Sequence, residues 1–143
     1  MTLTFDDCVN HVLRWEGGYS NDDRDPGGET NFGISKRAYP KLDIKHLTRD
    51  QAKQIYFVDY WQAVGADKMP DGLNLLAFDT AVNCGLKRAR LWAMDKSLHK
   101  LFVERARHYA LLDNLDDIYA KGWFNRLADI FAIAVLASKG VKA

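Results

Sequence analysis

Glu16 is a carboxylate at a position where the surrounding pattern calls for an apolar residue. Phe5, Val9 and Val12 recur at helical spacing, and position 16 falls on the same stripe, on the last turn before a Gly17-Gly18 stop. Apolar neighbours disfavour a carboxylate anion, and the negative end of a helix dipole does the same, so this placement predicts a raised pKa. A carboxyl that keeps its proton near neutral pH is what a general acid requires. The competing reading has Glu16 pointing into water and merely ending an amphipathic helix.

A second carboxylate follows in Asp25-Pro26-Gly27-Gly28, a strong turn signal in which Pro fixes φ and Gly supplies a positive φ. The turn predicts a β-hairpin whose arms are residues 19–24 and 29–34. Folded back, that hairpin would hold Asp25 and Thr30 across a cleft from Glu16. Two carboxyls facing each other across a groove is the arrangement that glycoside hydrolysis uses. Asp22 and Asp23 compete with Asp25 for the second role, and Glu29 competes more weakly. Tyr19, Asn31 and Trp61 are candidate substrate contacts, since aromatic rings suit sugar faces and amides suit N-acetyl groups. For Trp61 a core position is the alternative.

These residues carry a resemblance. Glu16-Gly17-Gly18-Tyr19 with Asp25-Pro26-Gly27-Gly28-x-Thr30-Asn31-x-Gly33-Ile34 resembles the signature of glycoside hydrolase family 108, the phage and bacterial N-acetylmuramidases. Tyr60-Trp61, Phe78-Asp79-x-Ala81-x-Asn83-x-Gly85 and Gly122-Trp123-x-Asn125-Arg126 also look like that family. The order of Glu16, Asp25 and Thr30 is similar to the Glu, Asp, Thr triad of phage-type lysozymes, with a slightly shorter second gap. Residues 1–92 carry the catalytic motifs, and residues 93–143 would complete the core. The resemblance implies cleavage of the β-1,4 bond between N-acetylmuramic acid and N-acetylglucosamine. Glu16 would protonate the leaving oxygen, and Asp25 with Thr30 would activate water on the opposite face. It also implies a substrate-facing role for Asn83, whose alternative is a polar group satisfied inside the fold. Family members often carry a wall-binding insert, and this chain passes straight to Leu101-Phe102-Val103 instead.

Several elements must position these groups. Thr4 predicts an N-cap for a helix over residues 5–16, and Ser35 predicts a short helix towards Tyr39 that Pro40 ends. Thr48-Arg49-Asp50-Gln51 is a capping-box pattern. Residues 73–84 are apolar nearly all round, which predicts a central buried helix. Asp79 and Asn83 share one face of it. For Asp79 the preferred reading is a buried group satisfied by a partner. Residues 86–112 predict two helices, or one that bends near Ser97-Leu98-His99. Lys87, Arg88, Arg90, Lys96, Lys100, Arg105 and Arg107 read there as a solvated basic face. Gly122 to Arg126 opens the last helix, whose apolar run over residues 127–137 is shorter than the roughly 20 residues a bilayer needs.

Composition narrows the class. At 143 residues and 16.3 kDa, with a formal net charge of +1, the chain reads as one domain that does not bind nucleic acid. Its histidines, His11, His46, His99 and His108, and its cysteines, Cys8 and Cys84, show no ligand spacing, so neither metal nor cofactor is expected. The two cysteines read as small buried hydrophobes. No basic n-region followed by an apolar h-region opens the chain, so no secretory signal is expected.

The expectation is therefore a mainly α, lysozyme-like domain with a small β-hairpin beside the cleft, acting as a monomer on peptidoglycan glycan strands. A phage or prophage endolysin, held in the cytoplasm until a holin releases it to the wall, is the favoured setting, with a secretion-system effector as its alternative. Two other activities stay open. A lytic transglycosylase would cut the same bond with one essential Glu, and a non-catalytic glycan-binding or assembly protein would keep the scaffold alone.

Overall fold

The structure, a computed structural model, describes residues 3–112 and 117–141. Helix α1 spans Phe5–Trp15, and the strands β1 (Thr30–Asn31) and β2 (Ile34–Ser35) follow it. Helix α2 (Arg49–Tyr56) runs into a π-helical segment, Phe57–Gln62, and a short 3₁₀ turn, Ala66–Lys68. Helices α3 (Leu73–Cys84), α4 (Leu86–Trp92), α5 (Leu98–Ala110) and α6 (Asp117–Ser138) complete the chain. This is the mainly α, lysozyme-like architecture that the sequence leads one to expect.

Local chemistry sets the starts of the helices. Thr4 Oγ1 accepts the Asp7 N–H at 3.3 Å while the Thr4 N–H donates to Asp7 Oδ2 at 2.9 Å. Thr48 and Gln51 form the same reciprocal pair at the head of α2, at 3.2 and 2.9 Å. Ser97 caps α5 by accepting the Lys100 N–H, so residues 86–112 form two helices rather than one bent rod.

Helix α3 is the axis of the core. Every residue from Leu73 to Ala81 is buried, and α1, α4, α5 and α6 all pack against it. Phe5, Trp61 and Phe78 meet in tilted and edge-to-face pairs with centroids 5.5–5.9 Å apart. Gly72 precedes α3 with φ +87°, and a Cβ there would fall 2.2 Å from the Ala134 carbonyl oxygen on α6. Only glycine lets the two helices approach so closely. Cys8 and Cys84 are buried free thiols.

Three local expectations need correction. The hairpin turns at Phe32-Gly33, with Thr30 opposite Ser35 and Asn31 opposite Ile34. Both turn residues have positive φ, 51° and 74°, as a tight two-residue hairpin turn requires. The expected arms pair only at Ser20 and Thr30. Between them, Asp22 Oδ1 takes the Arg24 N–H, the Asp22 carbonyl takes the Asp25 N–H, and Asp25 turns onto Gly28. Local turns thus consume the groups that a longer ladder would need. Second, residues after Ser35 make a single turn, closed by Tyr39 N–H on the Ser35 carbonyl, and not a helix. Third, α6 begins at Asp117, before Gly122, which the helix tolerates.

Candidate active site

Helix α1 stops at Trp15, and Glu16 is its C-cap with extended backbone, φ −86° and ψ 133°. The side chain therefore leaves the apolar stripe instead of continuing it. It is 19% exposed, and its Oε1 accepts from Arg126 Nη1 on α6 at 2.8 Å. Apolar surroundings were expected for Glu16; a guanidinium meets it instead. The hairpin tip closes the other side, since a Cβ added at Gly33 would lie 2.5 Å from Glu16 Oε2 and 2.6 Å from Tyr56 Oη. Tyr56 in turn donates to the Phe32 carbonyl at 2.7 Å, pinning the hairpin tip to α2. Burial, and then the nearby Glu16 carboxylate, push the Tyr56 hydroxyl pKa up; for Tyr60 the causes are burial, Asp59 and Glu16. Both phenols therefore keep their protons at neutral pH.

Behind Glu16 lies a buried ion network. Arg126 gives Nε and Nη2 to Asp79 Oδ1 at 3.0 and 2.8 Å, and Arg105 Nη1 reaches Asp79 Oδ2 at 2.7 Å. Asp79 and Arg105 are fully buried, and Arg126 nearly so. Burial works to raise the Asp79 pKa, but the Arg105 and Arg126 guanidiniums outweigh it and hold the carboxyl below its ordinary value. For Arg126, burial works against the charge, while Asp79 and Glu16 more than restore it. Arg105 also donates to Tyr109 Oη at 2.8 Å and to Thr80 Oγ1 at 3.2 Å, and the Tyr109 hydroxyl donates to Asn83 Oδ1. Asp79 thus has the partners expected of a buried carboxylate. Arg105 does not belong to the solvated basic face: it is buried, whereas Lys87, Arg88, Arg90, Lys96, Lys100 and Arg107 are exposed.

The remaining candidates fall in different places. Asp25 is exposed, and its Oδ1 accepts the Gly27 N–H at 2.8 Å across its own turn. Thr30 is half-buried, with its backbone paired to Ser20 on one side and facing Ser35 on the other. Of the rival carboxylates, Asp22 is bound by Arg24 at 3.0 Å, which holds its carboxyl below the usual range, and Glu29 accepts the Tyr19 hydroxyl at 2.8 Å. Asp23 is exposed. Tyr19 keeps an exposed ring.

Of the expected substrate contacts, Asn31 and Trp61 are buried and Asn83 is part-buried. The Asn31 amide is buried and donates to the Ile44 carbonyl at 3.0 Å, anchoring the loop before α2. Trp61 lies in the aromatic core, its alternative position. Asn83, part-buried, is held by Tyr109 and by Arg105 at 3.4 Å. The buried Asn31 amide takes the nearest backbone partner, and that commits it away from a ligand. Two residues escaped the sequence reading. Arg126 stood in Gly122-Trp123-x-Asn125-Arg126 with no role, and Trp15 directly precedes Glu16. Among the described residues no group of three or more His, Cys, Asp or Glu side chains is placed to hold a metal.

Comparison with known proteins bears on this arrangement. The family model for glycosyl hydrolase 108 matches residues 9–85, which include Glu16, Asp25, Thr30 and Asp79. Among solved structures, the chain is similar to SagA of Brucella abortus, with a TM-score of 0.72 and 27% identity over 94% of this chain and 95% of that one. A comparison with curated proteins gives no match. With more than half of its length inside the family match, this chain belongs to the glycosyl hydrolase 108 family, as a glycoside hydrolase directed at peptidoglycan.

Proposed function

We propose that the chain is an N-acetylmuramidase that hydrolyses the β-1,4 bond between N-acetylmuramic acid and N-acetylglucosamine. The observation that carries this reading is the Glu16 carboxyl, part-buried at the meeting point of α1, the hairpin tip, α2 and α6, and oriented by Arg126 at 2.8 Å. Glu16 protonates the leaving glycosidic oxygen, and Arg126 fixes where that proton is delivered. Because Arg126 gives two donors to Asp79 and one to Glu16, its charge is divided between two carboxylates. Asp25, whose Oδ1 is engaged in its turn, uses its second oxygen to take a proton from water, with Thr30 positioning that water. The scheme inverts the anomeric centre and calls for carboxyls roughly 6.5–9.5 Å apart in the substrate complex. Tyr19, with its exposed ring, is the sugar contact retained from the sequence.

One observation favours a second reading. Asp25 is exposed and partly committed to its turn, which suits a lytic transglycosylase that needs only Glu16. Mass spectrometry of products from purified peptidoglycan separates the two. Reducing muramic-acid ends support hydrolysis, and 1,6-anhydro ends would remove Asp25 from the mechanism.

For biological setting we propose a phage or prophage endolysin, accumulating in the host cytoplasm as a monomer and reaching the wall after a holin opens the membrane. The resemblance to the phage and bacterial N-acetylmuramidases supports this.

A further inference from the structure

Between the end of α1 and α6 lies a recess of about 360 Å³ lined by Arg14, Trp15, Asn125 and Asp129. Its two walls are the end of α1 and one turn of α6. Trp15 immediately precedes Glu16 and Asn125 immediately precedes Arg126, and Glu16 and Arg126 are themselves joined at 2.8 Å. Each wall of the recess therefore adjoins, along the chain, one member of the Glu16–Arg126 pair.

Its chemistry is specific. Trp15 is 37% exposed, yet its ring is not free to turn, because its Nε1–H donates to Asp129 Oδ2 at 2.8 Å. A large aromatic face held rigid at the surface offers contact area at little cost in conformational entropy. Arg14 approaches the same Asp129 oxygen at 3.7 Å, so the two charges in the recess offset each other and an ionic ligand gains little. The Asn125 side chain is exposed and has no hydrogen-bond partner among the described residues. A flat apolar face, an amide that can both donate and accept, and a carboxylate acceptor match a neutral, polyhydroxylated ring bearing an amide.

We propose that this recess is a sugar subsite, taking one N-acetylhexosamine ring of the glycan next to the bond cut at Glu16. The proposal rests on the muramidase reading and extends it. The ring stacks on Trp15, its N-acetyl group pairs with the Asn125 amide, and a hydroxyl donates to Asp129. Trp15 and Asn125 are thus binding residues, and they act on affinity without touching the reacting atoms.

The test uses the full-length chain carrying Glu16→Gln, titrated calorimetrically with glycan strands freed of their stem peptides. Adding Trp15→Ala is expected to weaken binding by about tenfold, with Trp15→Phe recovering most of it. Asn125→Ala breaks no bond of the fold, so it carries the test even if Trp15→Ala melts early; it is expected to weaken binding several-fold. Affinity unchanged in Asn125→Ala, or in a folded Trp15→Ala, would overturn the subsite. Wall solubilisation by the wild type, measured in parallel, keeps the two readings apart. Cleavage with unchanged variant affinities sinks the subsite alone, whereas neither cleavage nor binding by the wild type sinks the muramidase reading and the subsite with it.

Discussion

Glu16 is held from two sides, by a guanidinium on one oxygen and by a glycine on the other, and each makes the position sensitive to small changes. Gly33 has φ +74°, and a methyl group there would lie 2.5 Å from Glu16 Oε2. Gly33→Ala is therefore expected to displace the carboxyl and lower kcat by roughly 100-fold, the scale of loss that a misplacement of about 1 Å produces. It should also destabilise the fold by about 1 kcal/mol through its positive φ. Steady-state turnover and a thermal melt measure the two effects, and normal turnover would mean that Glu16 is not confined by the hairpin tip. Asp25→Asn distinguishes the two chemistries at the same scale. A base in an inverting mechanism should cost roughly 10²–10⁴ in rate when neutralised. A rate within a factor of two of wild type would leave Glu16 acting alone.

At the scale of elements, Gly72 decides how closely α3 approaches α6. Gly72→Ala would set a Cβ 2.2 Å from a backbone oxygen at φ +87°. Backbone cannot swing aside as a flexible side chain would, so the helices must part. The expected outcome is a loss of about 2–4 kcal/mol in denaturant unfolding; a loss below about 0.5 kcal/mol would show that α6 shifts freely. Helix α3, the Thr4 N-cap and the Thr48–Gln51 capping box were legible in the sequence because their causes are local: an all-round apolar run, and a Thr at the head of each helix. The hairpin was legible as an element but not in its turn, because Asp25-Pro26-Gly27-Gly28 is the stronger turn signal yet Phe32-Gly33 makes the paired reversal. The site was legible only on its first half. Glu16 stands out as a carboxylate on an apolar stripe, whereas its partner Arg126 lies 110 residues away and no periodicity links them. Arg105 was misread for a related reason, since its buried counter-ion Asp79 lies on another helix.

Across the whole molecule, one buried carboxylate ties three helices together. Asp79 on α3 receives Arg105 from α5 and Arg126 from α6. Its folded pKa is held below the ordinary 3.8 by those two guanidiniums against the opposing effect of burial. Its contribution to stability is thus fully present above about pH 3.8 and is lost as pH falls through the lower folded value. Asp79→Asn should destabilise the protein at neutral pH by about 3–5 kcal/mol, because buried Arg105 loses its counter-ion and Arg126 keeps only Glu16. It should also flatten the fall in stability below pH 4. Urea unfolding at pH 7 and in steps down to pH 3 checks both, and a variant whose acid limb parallels the wild type would contradict the sign.

The network ends at Glu16, and so does the account of catalysis. The most direct measurement is the rate at which purified peptidoglycan is solubilised by wild type and by Glu16→Gln, with thermal melts showing both folded. The expected result is steady release by the wild type and a rate lower by roughly 10²–10⁴ in the variant, the share that a positioned acid supplies. Release by Glu16→Gln within a few-fold of wild type would contradict the assignment of Glu16 as the acid.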